Sequence, residues 1–313
     1  MTDRQAVFAA AAKGLGGRPR RLPPWLSHDS HEAARLEAVA RPPVSELARA
    51  ERELLERRGP ELVARAARQT PLTVVELGAG AAQRTQGLLL AAVRHLGPCR
   101  YIPVDASAAA LESCRARLAR EAPEIEVLPV RGPHEAALPA IRATDGTVLV
   151  LFVGNAIGRL SDTEAAGLLC AVSDAMRPGA ALVLGTDRKA PPERLLAGYD
   201  DSSGGPRAEL EVLTRLNREL GADFDPRRWR QVARWNPPAS RVELHLVSLS
   251  PQQVHVPGLP TLEFDRGETI HTESSVKYDL PHVERLLDAA GLEREVSFTD
   301  ARSLFDLHLA RRA

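Results

Sequence analysis

The sequence predicts an α/β fold built on a mostly parallel, doubly wound sheet. Five short runs rich in Val, Leu and Ile carry this prediction, and they span 73–77, 101–105, 124–130, 147–153 and 181–187. Such nearly continuous apolar runs are typical of strands that helices cover on both faces. The segments between them favour crossover helices near 82–95, 107–121 and 162–176, the last of which begins after Ser161 and Asp162.

A change in composition after Asp187 predicts an inserted α+β segment. A stretch rich in Pro, Ser and Gly is followed by an amphipathic helix at about 207–220. Antiparallel strands joined by tight turns are then expected at 241–250, 252–257, 262–264 and 269–278. The alternation of helix and strand resumes with a helix at about 281–290 and strands at 292–298 and 304–310.

Glycine and proline break up the beginning of the chain. Residues 1–50 contain Gly16-Gly17 and several prolines, which predict an irregular arm with short helices. A helical pattern then runs from Ser45 to Ala67, with an expected interruption near Gly59-Pro60.

Charge and composition exclude several classes of function. The chain has 313 residues, and its 41 Lys and Arg balance its 41 Asp and Glu. A chain without net charge has no long-range attraction for nucleic acid or an anionic membrane, and no apolar run approaches a membrane span. Its three cysteines have neither disulfide nor zinc-site spacing, and its start does not resemble a signal peptide. We therefore expect a cytoplasmic protein with a small-molecule partner.

A glycine-rich turn follows the first predicted strand. Residues 76–80 read Glu-Leu-Gly-Ala-Gly, and Asp105 ends the second strand. Glycines at such a turn let the backbone approach a ligand, and an acid after the next strand can accept hydrogen bonds from ribose hydroxyls. Gln83 stands where a dinucleotide fingerprint would have its third glycine, which disfavours NAD. The glycines are also compatible with a tight turn in some other α/β enzyme.

Longer segments resemble one enzyme family. They are, in order, LPPWLSHD, AERELL, VELGAG, YIPVDAS, LFVGNAIGRL, LLAGYDD, LTRLNRELGADFD, ARWNPPASRVELHLVS, ETIHTESSVKY and FTDARSLFDLHL. Over about residues 22–311 they resemble the histidine Nα-methyltransferases, which trimethylate histidine in ergothioneine biosynthesis. The resemblance implies a class I S-adenosylmethionine (SAM) methyltransferase fold with a Rossmann-like SAM-binding domain at 51–188. It also implies an inserted α+β substrate domain at 189–278, an N-terminal arm at 1–50 that packs with this substrate domain, and a C-terminal helix and strands at 279–313 that complete the sheet.

The resemblance assigns SAM binding to positions that match the family's motifs, namely Gly78, Gly80, Arg84 and Asp105. Arg84 replaces the usual lysine and preserves a cation for the methionyl carboxylate. After the third strand the family has Gly-Asp-Phe, whose acid reaches the adenine. This chain has glycine followed by Pro133 and His134, so we expect these two residues at the adenine.

The resemblance also assigns the amino-acid substrate to Gly154, Arg159, Tyr199, Glu273 and Ser275. In relatives the glutamate and serine hold the imidazole, while an asparagine and the tyrosine engage the backbone groups of the amino acid. Arg159 replaces that asparagine, and an arginine can bind a carboxylate but cannot accept a hydrogen bond from an amine. We expect Tyr199 and Arg159 to line the reactive end as the catalytic residues.

The arm departs further from the family. Both of its substrate-lining tyrosines are missing from residues 26–29 and 43–49. His28 or Glu46 could substitute, although the favoured interpretation is an ordinary surface histidine and an exposed helix glutamate. His28 and His31 have no convincing third ligand, so we expect no metal.

Methyl transfer from a sulfonium is an in-line displacement that needs no metal and no covalent intermediate. The expected activity is therefore SAM-dependent methylation of the amine of an amino acid, either histidine or another amino acid or analogue. Two alternatives remain open, namely transfer of another group or cyclisation from SAM, and a non-catalytic SAM-binding protein.

Overall fold

The computed structural model of the chain describes residues 3–27, 46–67, 71–199 and 208–312. Contacts divide the chain into two units. The first, which we call the small-sheet unit, contains Met1–Val44 and Ala190–Ser275. The second, the large-sheet unit, contains Ser45–Lys189 and Val276–Ala313. The chain therefore passes between the units three times.

Helices and strands alternate along most of the described chain. The strands are β1 (Arg20–Arg21), β2 (Leu72–Leu77), β3 (Cys99–Asp105), β4 (Ile125–Val127), β5 (Val130–Arg131), β6 (Thr147–Phe152), β7 (Ala181–Asp187), β8 (Trp229–Asn236), β9 (Arg241–Ser248), β10 (Gln252–Val254), β11 (Leu262–Phe264), β12 (Thr269–Val276), β13 (Leu292–Thr299) and β14 (Phe305–Arg312). The α-helices are α1 (Asp3–Leu15), α2 (Glu46–Ala66), α3 (Gln86–Leu96), α4 (Ala108–Glu121), α5 (Leu138–Ala143), α6 (Asp162–Ala175), α7 (Pro192–Ala197), α8 (Ala208–Leu220) and α9 (Leu280–Ala289). None of these helices has the length and apolar character of a membrane span.

The large sheet has the order β13-β14-β7-β6-β2-β3-β4, and β5 also pairs with β3. The pairs among β7, β6, β2, β3 and β4 are parallel, whereas β14 runs antiparallel to both β7 and β13. The strand β2 lies inside the sheet, with β3 on one side and β6 on the other. The order of the strands therefore reverses beside β2, and in α/β sheets ligands bind at the carboxyl ends of the strands at such a point.

Helices cover both faces of this sheet, because its strands are apolar on both sides. One face packs against α5, α6 and α9 through residues such as Val75, Val150, Leu182, Leu169 and Leu286. The other face packs against α2, α3 and α4 through residues such as Val74, Leu149, Leu55, Leu88 and Leu118. Every residue of β2, β6 and β7 is buried. The continuous Val-rich runs in the sequence thus have the structure that they predict.

The small sheet has the order β1-β12-β9-β8, and β10 and β11 form a separate antiparallel pair. The helix α8 contributes Val212, Leu213, Leu216 and Leu220 to a core that it shares with α1 and the sheet. At the end of α8, Asn217 donates to the carbonyl of Phe224 at 2.6 Å and accepts from its amide at 2.9 Å. The segment LNRELGADFD is therefore a closed turn that joins the helix to the sheet.

Several elements differ from the prediction, and the single strand expected at 124–130 is two short strands, β4 and β5. The strand β8 was missed, because its sequence WRQVARWN lacks an apolar run and five of its eight residues are only half-buried. The expected break at Gly59-Pro60 is absent, since α2 is continuous with Pro60 inside it. The N-terminal arm contains a helix of 13 residues, α1, where only short helices were expected.

Candidate functional site

The glycine turn and Asp105 meet at the carboxyl ends of β2 and β3. Gly78 and Gly80 both adopt positive φ angles, of 71° and 54°. The carboxylate of Asp105 accepts a hydrogen bond from the Gly80 amide at 2.8 Å with one oxygen and from the Ser107 amide at 2.8 Å with the other. A carboxylate has about four acceptor positions, so two remain for a ligand. The half-buried Asp105 thus orders the turn and keeps the capacity to bind hydroxyl groups.

His134 lies against the same turn. It begins a short 3-10 helix, His134–Ala137, directly after Pro133. A Cβ atom on Gly78 would lie 3.3 Å from Nε2 of His134, and the imidazole contacts the ring of Phe152 edge-on at 5.1 Å between centroids. Burial lowers the pKa of His134, which favours the neutral ring. The glycine turn therefore has a neutral aromatic side chain as a neighbour.

Arg84 contacts a buried carboxylate that the sequence analysis did not single out. Oε2 of Glu51 lies 3.7 Å from Nε of Arg84, and Oε1 accepts a hydrogen bond from the Gly154 amide at 2.5 Å. Gly154 has a φ of 83°, and a Cβ there would lie only 2.6 Å from Nη2 of Arg84. Burial raises the pKa of Glu51 to about 6, while Arg84 and the Gly154 amide oppose that shift. The positive φ at position 154 therefore favours glycine, and the Arg84 guanidinium lies against its backbone.

Glu76, at the end of β2, is a second buried acid beneath the turn. Its Oε2 accepts hydrogen bonds from the hydroxyl groups of Thr85, at 2.9 Å, and Tyr101. Burial raises the pKa of Glu76 to about 7, although both hydrogen bonds oppose that shift. The carboxyl group thus ties β2 to β3 and to the start of α3.

The raised pKa of Glu76 predicts how stability depends on pH. Since this pKa is about 7 in the folded chain and near 4.5 unfolded, the folded state binds more protons between these values, and stability falls as pH rises through this window. We expect the unfolding free energy of Glu76→Gln, relative to wild type, to rise by up to about 3 kcal/mol from pH 5 to pH 8. Urea unfolding at both values measures it, with the exposed Glu124→Gln as control. An unchanged difference would contradict the prediction.

Lys277 and Asp187 form a buried ion pair in the large-sheet unit. Nζ of Lys277 donates to Oδ2 of Asp187 at 2.6 Å, and both side chains are at most 3% exposed. Burial raises the pKa of Asp187, and the charges of Lys277 and Arg159 oppose that shift. Arg159 itself is exposed at the end of a short 3-10 helix, Ile157–Arg159. The predicted residues Gly154 and Arg159 thus both follow β6, beside the carboxyl end of the sheet.

The remaining residues that were predicted to bind the substrate lie in the small-sheet unit. Glu273 and Ser275 belong to β12, where Glu273 is half-buried and Ser275 is buried. Tyr199 is half-buried after α7 and lines a cavity of about 510 Å³ together with α7 and residues 230–233 of β8. Arg230 and Gln231 of this cavity wall were not predicted, because β8 itself was missed.

The predicted site positions that the structure describes therefore fall into two groups, one in each unit. The large-sheet unit holds Gly78, Gly80, Arg84, Asp105, Pro133, His134, Gly154 and Arg159, and the small-sheet unit holds Tyr199, Glu273 and Ser275. Glu46 lies in α2, while His28 and His31 fall outside the described residues. No group of three or more His, Cys, Asp or Glu side chains within 3–27, 46–67, 71–199 and 208–312 is arranged to hold a metal ion.

Comparison with known proteins identifies the family. The family model described as "Histidine-specific methyltransferase, SAM-dependent" matches residues 7–312. The histidine N-alpha-methyltransferase of Mycobacterium tuberculosis is 39% identical over 301 residues, which are 95% of this chain and 92% of the relative. The enzyme of the same name from Mycolicibacterium smegmatis is 36% identical over 98% of this chain and 95% of its own.

Among solved structures, the CcbJ methyltransferase from Streptomyces caelestis is similar to 83% of this chain and 95% of its own, with 16% identity and a TM-score of 0.48. The family match covers nearly the whole chain, and both histidine N-alpha-methyltransferases exceed 35% identity. The chain is therefore a SAM-dependent N-methyltransferase that belongs to the histidine-specific methyltransferase family.

Proposed function

We propose that this enzyme transfers methyl groups from SAM to the α-amine of histidine. The observation that carries the SAM part of the proposal is the hydrogen bond between Asp105 and the Gly80 amide, since it places an acceptor with free capacity beside an open turn. A Cβ on Gly80 would meet no atom within 4 Å, so the backbone of the turn is accessible to a ligand. Histidine is proposed because Glu273 and Ser275 match the family's imidazole-binding residues and because both similar bacterial enzymes are named for it.

The residues present fit the three parts of SAM. Asp105 would accept from the two ribose hydroxyls, and the neutral ring of His134 would contact the adenine beside Pro133. Arg84, whose side chain is 35% exposed, has five N–H donors and would bind the methionyl carboxylate. SAM supplies the electrophilic methyl group when it is bound.

Residues of this chain would prepare the amine. An ammonium has no free lone pair, so it must lose a proton before it can react. The Tyr199 hydroxyl would accept a hydrogen bond from the amine, the proton would leave to water, and Arg159 would bind the substrate carboxylate in a charge-assisted fork. Holding both partners in line can supply at most roughly 7–11 kcal/mol of the barrier, as ideal intramolecular models show. We therefore propose catalysis by alignment, with no metal.

The zero net charge and the three unpaired cysteines support a cytoplasmic enzyme with a small-molecule substrate. The proposal includes neither a nucleic-acid nor a membrane partner.

Mass spectrometry of the products tests this function. The enzyme is incubated with SAM and, separately, with histidine, its analogues and a panel of other amino acids. Histidine should gain 14 mass units per methyl group, with stoichiometric S-adenosylhomocysteine. Methyl gain on another amino acid alone would replace histidine as the substrate, and 5′-methylthioadenosine would indicate transfer of another group. SAM binding without any product would favour a non-catalytic SAM-binding protein.

Glu273→Ala is expected to impair the use of histidine without weakening SAM binding. Loss of one charge-assisted hydrogen bond should lower kcat/KM for histidine by about 10- to 100-fold, while the Kd for SAM stays within about twofold. Steady-state kinetics and calorimetry measure the two quantities. Glu263→Ala, an exposed acid of β11 in the same unit, is the matched control. Equal damage to both quantities would contradict the proposed role of Glu273.

A further inference from the structure

Glu51 is a buried acid on an otherwise apolar helix face. The buried residues around it on α2 include Ala50, Leu54 and Leu55, and Glu51 itself is 3% exposed. Glutamate is almost never fully buried unless it is paired, because removing its charge from water is costly. The packing of α2 against its neighbours would be satisfied by another apolar residue. A carboxylate at this position therefore needs an explanation other than core packing.

The contacts of Glu51 connect three segments that are distant in sequence. Its backbone partner is the Gly154 amide after β6, and its charged partner is Arg84, which precedes α3. The hydrogen bond to a fixed backbone amide holds the carboxylate in place. The guanidinium also lies against the Gly154 backbone, since a Cβ atom built on Gly154 would lie 2.6 Å from Nη2 of Arg84. The Glu51 carboxylate therefore forms an ion pair with the buried side of the Arg84 guanidinium.

The side chains of Glu51 and Arg84 differ in their exposure to solvent. The Glu51 side chain is 4% exposed, whereas that of Arg84 is 35% exposed. An arginine has five N–H donors, so one edge can contact Glu51 while another stays available to a second anion. Two further acids, Asp187 and Glu76, lie near Glu51, and both are buried. The exposed part of the guanidinium is therefore the part that a ligand can reach.

We infer that Glu51 is a positioning residue, which holds the Arg84 guanidinium in the orientation that binds the methionyl carboxylate of SAM. This inference rests on the proposed function, because it assigns Arg84 to SAM. It predicts that the effect of Glu51 on SAM binding passes through Arg84. The Glu51 carboxylate does not contact SAM itself.

A double-mutant cycle measured by calorimetry with SAM tests the inference. Glu51→Gln keeps an acceptor for the Gly154 amide and removes the charge. We expect it to raise the Kd for SAM by about 5- to 10-fold in the wild-type background, because the freed arginine must be ordered on binding. In the Arg84→Gln background the same change should alter Kd by less than twofold. Glu53→Gln, an exposed acid on the same helix, is the matched control.

The outcomes distinguish the inference from the function on which it rests. A wild-type protein that binds no SAM would overturn the proposed function. A wild-type protein that binds SAM, together with an unchanged or tighter Kd for Glu51→Gln, would overturn the inference alone. An equal loss of SAM affinity in the wild-type and Arg84→Gln backgrounds would also overturn the inference alone, since a merely structural role of Glu51 would not depend on Arg84. If thermal unfolding shows that Glu51→Gln is not folded, Glu51→Leu is used in the same cycle, with the same expected pattern.

Discussion

Asp105→Ala is expected to weaken SAM binding by about 100-fold or more. The variant loses the proposed acceptor of two ribose hydroxyls, and hydrogen bonds to a charged group each contribute about 1.5–3 kcal/mol. It also leaves the amides of Gly80 and Ser107 without the oxygens that they now contact at 2.8 Å. Both effects act at the same turn, so the loss of affinity should exceed that of any single substrate-contact variant. Calorimetry with SAM measures it.

Two controls separate ligand binding from damage to the fold. Asp145→Ala removes an exposed acid, 91% exposed, from the turn before β6 at the opposite edge of the same sheet, and it should leave SAM affinity unchanged. Asp105→Asn keeps the size and one acceptor oxygen but removes the charge, and it should still lose at least about tenfold. A threefold or smaller effect of Asp105→Ala would show that SAM binds elsewhere.

The sequence predicted the large sheet better than the small one, for a physical reason. The strand β7 was predicted at its observed bounds, 181–187, because a strand buried on both faces needs apolar residues at every position. The strand β8 has arginines at 230 and 234 and only one fully buried residue, Trp229. Its position is fixed by its long antiparallel pairing with β9, which is a tertiary interaction without a local signal.

The helix α2 shows how packing overrides a local breaker. Pro60 was expected to interrupt the helix, yet the helix continues through it. A Cβ on Gly59 would lie 3.1 Å from the Leu88 Cα, so the glycine allows close approach of α3. The apolar face around the dipeptide, with Leu55, Leu62 and Val63 fully buried, holds the helix together where its own hydrogen bonding is weakened.

The difference between local sequence signals and tertiary contacts also explains which residues of the candidate site were predicted. Gly78 and Asp105 were predicted because parallel strands bring their carboxyl ends to one edge, and topology alone then makes them neighbours. Glu51 comes from a helix 103 residues before Gly154, and no sequence spacing indicates that their atoms meet. The available signal was a lone glutamate at a helix position whose neighbours are predicted to be buried. Without the fold, such a residue resembles any exposed helix acid.

Lys277→Met is expected to destabilise the large-sheet unit by about 3–5 kcal/mol, because it leaves Asp187 as a buried charge without its partner. Oδ1 of Asp187 already has no hydrogen-bond partner among the described residues, so little in the surroundings can compensate. In the Lys277→Met variant, Asp187 would take up a proton more readily than in the wild type. Its penalty should therefore be largest at pH 8 and decrease as pH falls toward 5.

The double variant Asp187→Asn with Lys277→Met identifies the origin of that loss. The double variant has no unpaired buried charge and leaves only a neutral amide, whose burial without a partner costs about 1–3 kcal/mol, so its stability should return to within that amount of wild type. The three tryptophans of the chain, Trp25, Trp229 and Trp235, all belong to the small-sheet unit, so their fluorescence does not report on this change. Hydrogen exchange at the amides of β7 does, because it measures the opening of the strand that ends at Asp187. A double variant as unstable as Lys277→Met would mean that Lys277 acts through packing of its aliphatic chain and not through its charge.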